Sequence, residues 1–259
     1  MPGQWLSARF SPDSRDLLLC GWADDLTKRA LQSRPDGSIR LAPPKTLLSG
    51  HGNLLRDSTS DGSRLVLSNN GTGHFIVLSK QDPAWVAIPQ AGTLAATISP
   101  DGSWLATSSY QETGAKIWSL PRGQLLRTLC PGEKVIQICA LGQQRIITRT
   151  SSRVRIFKTS NWTEEPPPPA SLHLDGMTAS RDGKLLATLG ENDIRILETH
   201  GFTEQLRLTP PPHAGWLGEC HLVFAADSSH LLIHTALGCV MRWNLIQLEE
   251  DFLKLGMKR

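Results

Sequence analysis

Two histidines four residues apart, His230 and His234 in the run His-Leu-Leu-Ile-His, are the pair whose types and spacing most invite metal chemistry. On a helix, positions i and i+4 share a face and both rings could reach one zinc ion. The run between them is apolar and strand-like, and four residues of strand separate its ends by ~13 Å. No metal and no cofactor is therefore expected, and the pair reads as structural. His74, His173, His200 and His221 stand at no ligand spacing. Cys20, Cys130, Cys139, Cys220 and Cys239 form no C-x-x-C. Five scattered thiols fit small buried apolar groups in a reducing compartment better than a zinc site or a disulfide framework.

Covalent catalysis needs a serine or cysteine on a strained turn with a base aimed at it. The chain has no G-x-S-x-G, no P-loop and no G-x-G-x-x-G, and Gly71-Thr72-Gly73 reads as a hairpin turn. No catalytic residue is assigned, and the chain is read as not an enzyme. A basic stretch does stand out: Arg145, Arg149, Arg153, Arg155 and Lys158, with no acid from 143 to 160. In a strand, Arg153 and Arg155 share one face while Val154 and Ile156 share the other. Arg149, Arg153 and Arg155 are thus the candidate partner-binding residues, a dock for an acidic protein segment. The plainer reading is a solvated surface. A net charge of only +3, one tyrosine and six phenylalanines do not make a basic, aromatic platform, so nucleic acid is not expected as a partner.

The elements that must position these residues are legible in an internal repeat. A polar residue, an aspartate, a glycine or serine and an apolar run recur as Ser11-Pro12-Asp13-Ser14, Ser60-Asp61-Gly62, Ser99-Pro100-Asp101-Gly102, Arg181-Asp182-Gly183 and Ala226-Asp227-Ser228. The aspartates are 48, 40, 81 and 45 residues apart, and the 81 is two periods. Gly142-Gln143-Gln144 stands where the missing copy belongs. Asp-Gly and Asp-Ser suit tight hairpin turns. The runs after them, such as Leu65-Val66-Leu67 and Leu185-Leu186-Ala187, read as buried strands. A second strand follows each, as in Ala115-Lys116-Ile117-Trp118 and Ile194-Arg195-Ile196-Leu197. Each period holds about four short strands and leaves no room for a crossover helix, which is one propeller blade. Apolar content of 39% supports a packed core, and no stretch approaches the eighteen apolar residues of a membrane span.

Ser99-Pro100-Asp101-Gly102-Ser103-Trp104-Leu105-Ala106, followed by Lys116-Ile117-Trp118-Ser119, resembles a WD repeat. The family's closing Trp-Asp has decayed to Trp118-Ser119, Phe157-Lys158, Leu197-Glu198 and Trp243-Asn244. Its Gly-His pair survives as Gly50-His51, and its hairpin aspartate fits Asp193. The resemblance covers about residues 4 to 245 and implies an all-β propeller of about six four-stranded blades. It also implies structural roles for His51, Asp101, Trp118, Asp193 and Trp243. The function it implies is a cytoplasmic, monomeric scaffold that presents loops and a central channel to a protein or peptide partner. The chain also resembles bacterial WD-repeat proteins with an amphipathic tail, some of which follow a kinase domain. That leaves open a regulatory or sensory remnant of a larger kinase-like protein, and a propeller hydrolase with an unrecognised site is a third reading.

The two ends refine the architecture. Only Met1 to Gln4 precede the first strand at Trp5 to Phe10, too few to add an outer strand to the last blade, and the start of the chain shows no signal peptide. After Trp243, the spacing of Leu245, Leu248, Phe252 and Leu255 is helical. Acids before Lys254 suit the helix dipole, and Glu250 with Lys254 makes an i,i+4 pair. The expectation is a propeller over 1–245 with a three-stranded last blade or an incompletely closed ring. An amphipathic helix over 246–259 would cover an edge. The proline runs Pro166–Pro169 and Pro210–Pro212 read as stiff connectors.

Overall fold

A computed structural model of the chain describes residues 5–13, 15–21, 25–34, 39–50, 53–69, 73–79, 86–168, 176–190, 192–209, 221–225, 227–234 and 240–254. Their strands fall into six small antiparallel sheets, the blades of a six-bladed β-propeller, followed by one short helix. By contact density the chain divides into two compact units, Met1–Ile136 and Gln137–Arg259.

In the first unit, the opening blade comprises β1 (Trp5–Phe10), β2 (Asp16–Gly21), β3 (Leu26–Ser33), β4 (Ile39–Leu41) and β5 (Lys45–Leu48). The eight-residue β3 is shared along its length: Leu26 stands opposite Leu48 of β5, and Leu31 opposite Leu41 of β4. The long first period accommodates this extra strand. The second blade is β6 (Asn53–Ser58), β7 (Arg64–Asn69), β8 (His74–Ser79) and β9 (Val86–Ile88). The third is β10 (Thr93–Ile98), β11 (Trp104–Ser109), β12 (Ala115–Ser119) and β13 (Gln124–Leu129).

Strand β7 shows why its sequence is continuously apolar. Leu65 and Leu67 pack with Leu18, Cys20 and Leu26 of the first blade, while Val66 packs with Ile98, Leu105 and Trp118 of the third. Successive side chains point to opposite faces, so a strand covered on both sides cannot alternate apolar with polar.

The fourth blade is β14 (Val135–Leu141), β15 (Arg145–Thr150) and β16 (Val154–Lys158), in the second unit but for the first two residues of β14. Among the described residues its expected fourth strand is reduced to one bridge between Phe157 and Glu164. Pro166, Pro167 and Pro168 follow directly, and proline has no N–H to extend a ladder. The fifth blade has four strands, β17 (Met177–Ala179), β18 (Leu185–Leu189), β19 (Ile194–Glu198) and β20 (Glu204–Leu208). The sixth has three among the described residues, β21 (His221–Phe224), β22 (His230–His234) and β23 (Val240–Asn244). His230 and His234 therefore lie along a strand.

Helix α1 (Leu245–Lys254) closes the described chain. The Asn244 side-chain oxygen accepts the Gln247 N–H at 3.1 Å and caps the helix start. Leu245 and Leu248 pack onto the cluster joining the fifth and sixth blades, built on Ile196, Phe224, Leu231 and Ile233. Lys254 reaches Asp251 at 3.4 Å, an i,i+3 contact in place of the expected pair with Glu250. The side chain of Phe252 and the whole of Leu255 lie outside the described residues. No helix among the described residues is long and apolar enough to cross a membrane.

The fourth repeat lost its aspartate and kept Gly142, and the packing explains why. Gly142 and Gly183 both adopt positive φ, 63° and 72°. A Cβ on Gly183 would lie 2.3 Å from the Gly142 nitrogen and 2.4 Å from its Cα. Two adjacent blades touch backbone to backbone here. Gly183→Ala is expected to lower stability by about 2 kcal/mol or more, through strain and clash together. Gly132→Ala, at φ 82° with nothing within 4 Å of the added carbon, should lose about 1 kcal/mol. Thermal melts of the two variants check this, and equal melting temperatures would refute it.

Candidate functional site

The aspartates of the repeat phrase are held in one local circuit. Hydroxyls two residues earlier donate to the carboxylate: Ser11 to Asp13 at 2.6 Å, Thr59 to Asp61 at 2.7 Å and Ser180 to Asp182 at 2.6 Å. The amide two residues later also donates, Ser63 to Asp61 at 2.8 Å, Ser103 to Asp101 at 2.9 Å and Ser229 to Asp227 at 3.0 Å. The same early hydroxyl accepts the amide that opens the next strand, as Ser99 does from Trp104 at 3.0 Å. The Ser63 amide first, then the Thr59 hydroxyl, hold Asp61 down at about 2. Asp13 and Asp227 are lowered chiefly by the Ser11 and Ser229 hydroxyls. At Asp101 and Asp182 burial pushes upward, and the hydrogen bonds outweigh it. These carboxylates are strongly ionised and fully engaged as turn formers.

Trp118, a repeat-closing position, is buried, and its indole N–H donates to Thr107 Oγ1 at 2.7 Å. Thr107 in turn donates to Gln90, and Gln90 Nε2 donates to Glu112 at 3.0 Å. Lys116 pairs with Glu112 at 2.7 Å. Asp193 stands beside the β18–β19 turn, 3.3 Å from Arg195 Nε and 3.6 Å from Arg207 Nη1. Trp243 packs on the last apolar cluster. His51 lies outside the described residues.

Asp57 carries no signal in the repeat phrase, yet it joins three blades. It accepts from Arg9 Nη1 at 2.8 Å on the first blade, and from Thr97 Oγ1 at 2.8 Å and the Ile98 amide at 3.0 Å on the third. The partners lie about forty or more residues away, so no local pattern reveals them.

The basic stretch of the fourth blade is split by strand register. Arg149 stands opposite Val154, and Arg155 opposite Thr148. Opposed residues share a face, so Arg149 lies on the face of Ile147 and Ile156 while Arg155 lies on the other. Arg155 is only 16% exposed, sits 5.3 Å from the Phe157 ring and makes a two-pronged pair with Glu164, whose Oε1 is 2.8 Å from Nε. Arg145 ties the fourth blade to the fifth by donating to the Thr199 carbonyl at 2.7 Å, with Phe202 at 5.9 Å. Arg153 is exposed, in the turn before β16. The acids that meet this stretch, Glu164 and Glu165, lie just beyond it in sequence.

No group of three or more His, Cys, Asp or Glu side chains among the described residues is placed to hold a metal ion. No family model and no curated protein matches the sequence. Among solved structures, the chain is similar to hydrazine synthase from Kuenenia stuttgartiensis, with a TM-score of 0.66 over 97% of this chain and 79% of that one, at 15% identity. A likeness at that identity shows the fold alone.

Two outcomes are expected. Asp57→Ala should lose about 3 kcal/mol, because it removes the acceptor for donors on two neighbouring blades. Urea unfolding measures this. The turn aspartates bind protons less readily folded than unfolded. Their contribution is therefore complete above the ordinary value of 3.8 and lost as pH falls below it, for Asp61 toward about 2. The urea midpoint should drop between about pH 5 and pH 2, and less steeply in Asp61→Asn.

Proposed function

We propose that the chain is a binding scaffold of the WD-repeat type, taking an extended segment of a protein partner. The observation that carries this reading is strand β13. It is the outermost strand of the third blade, pairing with β12, and Gln124, Leu125, Leu126 and Arg127 are all exposed. Leu125 and Leu126 are 50% and 53% exposed, Leu126 being the extra residue where the register with β12 shifts. An outer strand with exposed apolar side chains is a template for strand addition by another chain. The carboxylates and hydroxyls that could do chemistry are held in turns and between blades, which also favours binding over catalysis. Arg153, exposed on the fourth blade, is a second candidate contact. Arg155 with Glu164, and Arg149 on the opposite face, are secondary to it.

Purified chain immobilised in lysate from its own source, read by mass spectrometry, tests this. A partner is expected that Leu125→Asp with Leu126→Asp releases while the melting temperature is kept, and that Arg153→Glu weakens. No reproducible partner, or one held equally by the leucine variant, would overturn the reading.

A further inference from the structure

Arg56 is a half-buried cation of the first unit with no ion pair among the described residues. Strand β6 carries a bulge between Leu55 and Asp57, and Arg56 is the extra residue. Leu55 is committed to the first blade, its amide donating to Cys20 Sγ at 3.1 Å, and Asp57 to the third. A bulge re-aims the side chain it inserts. Arg56 Nε donates to the hydroxyl of buried Ser68 at 2.8 Å, and its two Nη nitrogens have no partner among the described residues. Burial pushes its pKa below the ordinary arginine value, and the groups acting on it in the other direction are Tyr110 and Cys20. Neither of those groups is a carboxylate. A desolvated charge without a partner is costly.

Tyr110, the chain's one tyrosine, is 63% exposed and within electrostatic range of Arg56. The Lys134 ammonium lies 5.8 Å from the Tyr110 ring centre and makes no ion pair among the described residues. Tyr110 thus acts on the Arg56 charge, and its ring carries the Lys134 ammonium.

We propose that Arg56, with Tyr110 and Lys134 at its rim, forms a carboxylate-binding site for an acidic side chain of the partner segment. This rests on the scaffold reading and names the partner's chemistry. Nε is already held by Ser68, so the paired Nη nitrogens remain, a fork that matches the two oxygens of one carboxylate. One guanidinium balances one carboxylate charge, and a phosphate dianion would need more.

A fluorescein-labelled poly-glutamate peptide, titrated with the full chain and read by anisotropy, is the probe. The wild type should bind, and Arg56→Gln should weaken binding on the order of tenfold or more. Lys134→Gln should weaken it about two- to threefold, and added salt should do the same. If Arg56→Gln loses its near-ultraviolet dichroism, Arg56→Lys decides instead: the charge is kept, the fork is lost, and binding should still weaken. Absence of wild-type binding, or equal binding by Arg56→Gln, would overturn the site. Tighter Arg56-dependent binding of a phosphoserine peptide would overturn its assignment to carboxylate. If the Leu125→Asp, Leu126→Asp variant loses the lysate partner while poly-glutamate never binds the wild type, the scaffold stands and the carboxylate site falls.

Discussion

Burial of the second strand of each repeat on both of its faces is the constraint from which the rest of this fold follows. Strands such as β7 and β18 send alternate side chains into clusters shared with the blade before and the blade after. A blade removed from its neighbours would expose both faces, so no single repeat can be stable alone. The turns must then be compact enough for neighbouring blades to approach. Gly142 against Gly183 is the tightest case, where a methyl group has no place to go.

Polar groups in such a stack have two ways to be satisfied. One is local, and the aspartate turns use it: hydroxyl, carboxylate and amide lie within five residues and close a circuit that needs no other blade. The other is between blades, and Asp57 and Arg145 use it. Arg56 follows neither route, with a single neutral hydroxyl as its hydrogen-bond partner among the described residues.

Blade count, strand order within each blade and the turn aspartates were legible from the chain because each depends on residues within one period. Asp-Gly selects a turn, an unbroken apolar run selects a strand covered on both sides, and recurrence at about forty residues selects the blade. The helix after Trp243 was legible for the same local reason. The proline run, of which Pro166, Pro167 and Pro168 are described, read first as a connector, and without N–H groups it cannot extend a ladder beyond the Phe157–Glu164 bridge.

Register and distant pairing were decided only in three dimensions. Arg149 and Arg155 look like neighbours on one basic surface. The alignment of β15 with β16 puts them on opposite faces, because a side chain's face depends on which residue it opposes. The acids that meet the basic stretch follow it across a turn, and the donors to Asp57 come from strands about forty residues away on either side. The chain alone thus determined the repeating unit and its turn chemistry, which short-range sterics and hydrogen bonding specify. The tertiary structure decided which charges are neutralised, because that depends on what the neighbouring blade brings within reach.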